Sequence, residues 1–374
     1  LLRAITLALA VVLDLLLTAQ KVLITLHSHD CFATRTPLPA EIFHASLKAL
    51  FLYLIQYFTI LGMSILLIGD LSASAYALWR EVLTPYLPPG ETLALATECN
   101  DPSAIEIALA ANPPWGTLAT YPNLRFVQSL WAGVDRLLAD PSLPANVTIA
   151  RLVDPEMAQA MLEGTVAAVL YLHRQFPAYR RQQAAHAWRQ LPQPNAAHRK
   201  VGLLGLGQMG QPVAGALAAL EFDVHAWGQR PRSEPGCQYS HGEAGLDTVL
   251  RQAEILINLL PLTPATRGIL SSRLFERLPH GAALINFGRG AHLREEDLLA
   301  ALGTGQLSHA VLDVFHQEPL PAEHPFWSHP RITVLPHVAA STDPKTAAPI
   351  VMRNVAAFRE GRELTGWVSR ERGY

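Results

Sequence analysis

The stretch Val201-Gly202-Leu203-Leu204-Gly205-Leu206-Gly207-Gln208-Met209-Gly210 decides the fold. Val201–Leu204 reads as a buried strand, three glycines follow in the spacing GxGxxG, and a small-residue helical pattern, Val213–Leu220, comes directly after. A GxGxxG alone is a weak signal, but a strand before it and a helix after it are the conditions that make it a dinucleotide-binding turn. The first glycine permits the tight turn and the second lets the backbone approach a pyrophosphate. The third lets the helix pack closely on the strand, and the helix N-terminus offers its N–H groups to the anion. Gly205, Gly207, Gln208, Met209 and Gly210 are therefore candidate cofactor contacts. The competing reading, a glycine turn with no ligand, is disfavoured by the βαβ context.

Working outward, short apolar runs alternate with helical patterns on both sides of this turn, which is the signature of parallel-sheet α/β units. Downstream, strands are expected at Asp223–Trp227, Ile255–Leu260, Ala283–Phe287, Ala310–Val314 and Ile332–Leu335, with helices at Leu246–Gln252, Ser271–Leu278 and Arg294–Leu302. This makes a complete doubly wound domain. Upstream, Ser64–Gly69, Thr92–Ala96, Ile105–Ala108, Leu124–Ser129 and Val147–Ala150 read as strands of a first α/β unit, with a helix at Ala73–Leu87. Asp154 as N-cap and Pro155 as first helical residue open a long helical pattern towards Trp188, and Leu191–Arg199 reads as a linker. A last helix, about Pro344–Glu360, is expected to return to the first domain. The resulting division is a substrate domain of residues 63–162 and 339–374 around a dinucleotide-binding domain of residues 163–338.

Composition narrows the class. Half of the 374 residues are hydrophobic, and 29 Lys and Arg nearly balance 31 Asp and Glu. No block of like charge calls for nucleic acid or an anionic membrane surface. Cys31, Cys99 and Cys237 lie far apart without CxxC spacing, against both a disulfide framework and a zinc site, so a reducing, cytoplasmic compartment is expected. Residues 1–62 stand apart. Ala4–Leu26 is apolar enough to raise a membrane anchor, yet Asp14, Gln20 and Lys21 interrupt it, and no convincing cleavage site precedes His27. The preferred reading makes Met63 the native start and residues 1–62 an apolar extension outside the enzyme. The chain's first residue, Leu1, agrees with a misassigned start.

The residues that select between dinucleotides follow the second strand of the domain, about twenty positions beyond the glycines, where an acid would bind a ribose 2′-hydroxyl. The sequence there is Trp227-Gly228-Gln229-Arg230-Pro231-Arg232-Ser233, without an acid. Two arginines can pair with a 2′-phosphate, so Gln229, Arg230 and Arg232 point to NADPH, with NADH as the lesser option. The competing reading makes both arginines solvated loop charges.

Three further segments gain force together: Asn286-Phe287-Gly288-Arg289-Gly290, Asp313-Val314-Phe315-His316-Gln317-Glu318-Pro319 and Leu335-Pro336-His337-Val338-Ala339-Ala340. They set a cation, a carboxylate and an imidazole after successive parallel strands, at the end of the sheet where the ligand crevice lies. Reduction of a 2-oxo acid needs a cation for its carboxylate and carbonyl, a proton donor for the alkoxide, and a hydride from the cofactor. Arg289 fits the first role and His337 the second, with Glu318 favouring the imidazolium. The remaining histidines, including His316, His324 and His329, read as surface or loop residues, since no pair shows metal-ligand spacing.

In this order and spacing, Gly205–Gly210, Arg289, Glu318 and His337 resemble the D-2-hydroxyacid dehydrogenase family over about Met63 to Tyr374. The bacterial glyoxylate/hydroxypyruvate reductases of the A type are most similar, through Trp131-Ala132-Gly133-Val134-Asp135, Ile257-Asn258-Leu259-Leu260-Pro261-Leu262-Thr263-Pro264, Pro336–Ala340 and the ending Arg372-Gly373-Tyr374. The resemblance implies a Rossmann NAD(P)-binding domain beside a discontinuous flavodoxin-like substrate domain, and a homodimer. It implies that the backbone of Ala132 and Gly133 binds the substrate carboxylate, that Leu260 and Pro261 lie along the cofactor, and that Asp313 contacts the nicotinamide carboxamide. Trp131 divides evenly between capping a small pocket and serving as a core residue. The expected reaction is NADPH-dependent reduction of glyoxylate to glycolate and of hydroxypyruvate to D-glycerate. The alternatives are an NAD-linked D-lactate or 3-phosphoglycerate dehydrogenase, a non-catalytic dinucleotide-sensing protein of the same fold, and a membrane-tethered dehydrogenase using residues 1–62.

Overall fold

The computed structural model describes residues 65–232 and 236–374. The expectations for residues 1–62 lie outside them. Two all-parallel sheets organise the chain. The first contains β1 (Ile65–Gly69), β2 (Leu93–Leu95), β3 (Ile107–Ala111), β4 (Phe126–Ser129) and β5 (Thr148–Ala150) in the order β2-β1-β3-β4-β5. The second contains β6 (Lys200–Leu204), β7 (Asp223–Gly228), β8 (Gln238–His241), β9 (Ile255–Asn258), β10 (Ala282–Asn286), β11 (Leu307–Leu312) and β12 (Ile332–Val334) in the order β12-β11-β10-β9-β6-β7-β8. These are the flavodoxin-like and Rossmann orders, each reversing direction at an interior strand. Strands buried on both faces are apolar along most of their length, as β1, β3 and, up to its terminal Asn286, β10 are, which is why continuous apolar runs marked them in the sequence.

Helices cover the sheet faces: α1 (Ala73–Leu83), α2 (Asp135–Leu138), α3 (Pro155–His173), α4 (Phe176–Ala184), α5 (Gly210–Ala219), α6 (Gly242–Leu250), α7 (Ser272–Phe275), α8 (Glu295–Thr304) and α9 (Pro344–Arg359). Their ends follow local chemistry. Asp154 caps α3 by accepting the Glu156 N–H at 2.9 Å, and Asp343 caps α9 by accepting the Lys345 N–H at 2.9 Å, each with a proline in the first turn. α8 ends at Gly305 with φ +80°, a left-handed cap that glycine adopts without a Cβ clash.

α9 brings Ala347, Ile350, Val351 and Val355 into the core formed by β1, β3, β4 and α1, so the last segment completes the first domain. Beyond it, Val368 N–H donates to Ile149 O at 2.9 Å and Arg151 N–H to Gly366 O at 2.9 Å, fastening the tail along β5.

Two departures from the sequence reading have local causes. The helical pattern expected to run to Trp188 breaks at Gln175, with φ +58°, and restarts as α4 with Pro177 in its first turn. Proline lacks the N–H that a continuous helix would need at position 177, whereas in the first turn of a new helix that N–H would have no partner. The unexpected strand β8, Gln-Tyr-Ser-His, carries no apolar run to signal it. It is an edge strand, held by pairing to β7.

Candidate active site

The C-terminal ends of β12, β11, β10, β9 and β6 stand side by side, and the loop that follows each one carries a candidate residue. After β6, Gly205 has φ +96°, and a Cβ there would meet the Leu259 backbone at 2.9 Å. Gly207 faces open space within 4 Å, whereas a Cβ on Gly210 would strike the Gly205 carbonyl at 2.0 Å. The middle glycine thus leaves room beside the backbone, and the outer two allow the close packing that shapes the turn. α5 starts here with no side-chain cap and no acid in its first turn, so its amide dipoles are available to an anion. Gln208 and Met209 complete the turn. This is a cradle that a dinucleotide pyrophosphate fits.

Gln229, Arg230 and Arg232 follow β7 and are exposed. Tyr239 on β8 supports their loop: its hydroxyl donates to Arg230 O at 2.6 Å, and the Arg232 guanidinium lies over its ring at 6.0 Å. Arg232 also donates to the Leu206 carbonyl in the glycine turn, which brings its positive charge next to the cradle. Residues 233–235 lie outside the described residues.

Arg289 follows β10 and reaches into the loop after β4. Its Nε donates to Asp135 Oδ1 at 3.0 Å and its Nη1 to Gly288 O at 2.8 Å. A Cβ on Gly133 would sit 1.5 Å from Arg289 Nη2, so the guanidinium rests directly on the glycine backbone. Gly133 and Arg289 therefore meet, and Ala132, the residue before Gly133, packs partly against the core of the first sheet. Trp131 meets Trp79 edge-to-face at 6.3 Å and is partly buried against the substrate-domain core, so it packs as a core residue on at least one side.

After β12, His337 has φ +56°, a left-handed conformation uncommon for a side chain of this size. Its Nδ1 contacts Glu318 Oε2 at 2.7 Å, leaving Nε2 as the ring's other polar edge, while Glu318 Oε1 accepts the Phe315 N–H at 2.8 Å. The hydrogen bond from Glu318 raises the His337 pKa above that of a free histidine, against the opposing effect of burial. Burial pushes Glu318 up, but the His337 hydrogen bond and the Phe315 N–H outweigh it and leave the carboxyl below its usual value. Both shifts favour the charged forms, the carboxylate of Glu318 and the imidazolium of His337.

Asp313 is buried, and its two oxygens accept the N–H groups of Val338 at 2.7 Å and Ala339 at 3.0 Å. Burial raises its pKa, and the two N–H bonds limit the rise. In this arrangement Asp313 fastens the segment that carries His337. Leu260 is buried at the end of β9 and Pro261 is exposed next to it.

Sequence reasoning missed Asp135, which was quoted in its motif but given no role; nothing in the sequence links it to a residue 154 positions away. It also misplaced several histidines. Far from lying on the surface or in loops, His173, His225, His292 and His309 are buried, at 4%, 4%, 0% and 5% exposure. Each is enclosed by packing that single residues in a sequence do not announce. Among the described residues no group of three or more His, Cys, Asp or Glu could hold a metal ion, and no helix is long and apolar enough to cross a membrane.

A dinucleotide cradle and an arginine, glutamate and histidine on neighbouring strand ends define a nicotinamide-dependent dehydrogenase. The family model described as "D-isomer specific 2-hydroxyacid dehydrogenase, NAD binding domain" matches residues 166–339. A D-isomer-specific 2-hydroxyacid dehydrogenase from Xanthobacter autotrophicus Py2, solved with NADPH and MES, is 36% identical, with a TM-score of 0.78 over 84% of this chain and 100% of that one. An NADPH-dependent glyoxylate/hydroxypyruvate reductase from Sinorhizobium meliloti, solved with NADP and sulfate, is 34% identical, with a TM-score of 0.76 over 83% and 100%. A family protein from Klebsiella pneumoniae 342 is 35% identical, with a TM-score of 0.74 over 83% and 98%. The chain belongs to the D-isomer-specific 2-hydroxyacid dehydrogenase family.

Proposed function

We propose that this enzyme reduces glyoxylate to glycolate and hydroxypyruvate to D-glycerate with NADPH, in the cytoplasm and as a homodimer. The observation that carries the reading is the Arg289 guanidinium resting on Gly133 while His337, backed by Glu318, stands two strand ends away. The Sinorhizobium reductase supports the choice of substrates, and the acid-free loop with Arg230 and Arg232 supports the choice of NADPH.

The Gly205–Gly210 turn would hold NADPH, whose chemistry when bound would be to supply a hydride for reduction of the carbonyl carbon. Arg289 and the N–H groups of Ala132 and Gly133 hold the substrate carboxylate, and Arg289 also polarises the carbonyl oxygen. As charge develops on that oxygen, His337 gives it the proton on Nε2, and Glu318 stabilises the imidazolium beforehand through Nδ1. The test follows reduced-nicotinamide absorbance for the purified protein with NADPH or NADH and glyoxylate, hydroxypyruvate, pyruvate or phosphohydroxypyruvate. Fast NADPH oxidation with the first two is expected. A preference for NADH with pyruvate or phosphohydroxypyruvate would replace this reading with the NAD-linked alternatives.

A further inference from the structure

Beneath Arg289 lies a buried polar network that the proton and hydride chemistry does not use. His292 is fully buried. Its Nδ1 lies 3.1 Å from the Arg289 backbone N and 2.9 Å from Asn258 Nδ2, while its Nε2 lies 3.2 Å from Pro261 O. Two donors at Nδ1 and a carbonyl at Nε2 fix the tautomer: Nε2 carries the proton and donates to Pro261, and Nδ1 accepts. Burial drives the ring's pKa down to about 4, so it stays neutral and keeps its acceptor.

Asn258 and Asn286, at the ends of β9 and β10, close the network. Asn258 Nδ2 also donates to Asn286 Oδ1 at 2.9 Å, and Asn258 Oδ1 accepts the Leu260 N–H at 3.3 Å. Asn286 Oδ1 accepts the Gly288 N–H at 3.3 Å, and its Nδ2 donates to Arg289 O at 3.2 Å. Both backbone polar groups of Arg289 are therefore tied to buried side chains. The loop lies tight on them: a Cβ at Gly288 would come 2.8 Å from Asn258 Nδ2 and 2.9 Å from His292 Nδ1. The same imidazole that holds the Arg289 N–H also holds the carbonyl of Pro261, a candidate cofactor contact.

We propose that His292 is a positioning residue, which fixes the backbone of Arg289 against the Leu260–Pro261 loop and so sets the spacing between substrate anchor and dinucleotide. The inference rests on Arg289 being the substrate anchor. A misplacement of about 1 Å in such an anchor costs roughly 10²-fold.

The test compares wild type, His292→Leu, His292→Asn, Arg289→Lys and the two His292 variants combined with Arg289→Lys, measuring kcat, KM, dinucleotide Kd and Tm. His292→Leu is expected to lower kcat/KM for the 2-oxo acid by roughly 10²-fold while changing the dinucleotide Kd less than about threefold. His292→Asn, whose Oδ1 can stand in for Nδ1, should recover about tenfold of that loss. In the Arg289→Lys background either substitution should cost less than about threefold, because the interaction it supports is already gone. Equal losses in both backgrounds, no recovery with Asn, or an unchanged His292→Leu enzyme would overturn the proposal. If His292→Leu fails to fold, His292→Asn decides alone, with a loss of about tenfold expected in the wild-type background and less than about threefold with Arg289→Lys. A wild-type protein that turns over no 2-oxo acid would overturn the anchor reading itself, and this inference with it.

Discussion

Substituting Gly133 by alanine tests the site at its tightest point. The added methyl would stand 1.5 Å from Arg289 Nη2 and 2.7 Å from Cζ, where ordinary contact begins at 3.4 Å. The guanidinium must therefore retreat by about 2 Å, which strains or breaks its bonds to Asp135 Oδ1 and Gly288 O. Because a displacement of about 1 Å in a positioned group costs roughly 10²-fold, kcat/KM for the 2-oxo acid should fall at least that far, about 3 kcal/mol in transition-state stabilisation. Dinucleotide binding lies on the other domain and should hold. Steady-state oxidation of the reduced dinucleotide, paired with dinucleotide titration by fluorescence, separates the two effects. A Gly133→Ala enzyme with unaltered kcat/KM would show that Arg289 does not rest on this backbone during turnover. A parallel loss of dinucleotide affinity would show that the damage is general.

Other perturbations probe the remaining parts. Replacing Arg230 and Arg232 together by alanine should raise KM for NADPH far more than KM for NADH; equal rises would reduce both arginines to solvated charges. His337→Ala should lower turnover by roughly 10²–10⁴-fold with dinucleotide Kd nearly unchanged, and unaltered turnover would remove it as the proton donor. Reduction requires protonated His337, so activity declines as pH rises through its elevated pKa. Glu318→Gln removes the main cause of that elevation, and the decline should begin at lower pH, as a kcat/KM profile would reveal. His292 and His309 are buried with pKa values pushed down from 6.5 to about 4. The unfolded chain takes up these protons first, so their stabilisation is complete above about pH 6.5 and is lost as pH falls towards 4, on the order of 3 kcal/mol each. Urea midpoints that stay flat across this window would contradict neutral burial.

Much of this is legible in the sequence, because the relevant signals are local. Apolar runs reported strands buried on both faces, the glycines of 205–210 reported a tight turn between strand and helix, and Pro155 after Asp154 reported a helix start. Strand order converted linear spacing into geometry: in a parallel sheet every strand ends at the same edge, so Arg289, Glu318 and His337 were expected after successive strand ends and follow β10, β11 and β12. The sheet's own periodicity was silent about β8, whose polar residues form a strand only because β7 offers an edge to pair with.

The division between what sequence determined and what tertiary structure decided follows from distance along the chain. Sequence by itself determined the α/β class, the dinucleotide turn and which candidate side chains follow the strand ends, since each depends on neighbours within a few positions. Only the tertiary structure decided that Asp135 holds Arg289, that Gly133 must lack a side chain, and that His292 lies buried as a neutral link between two loops. These depend on contacts across domains or between strand ends, where packing and desolvation act. A residue's identity alone records neither its burial nor its partner.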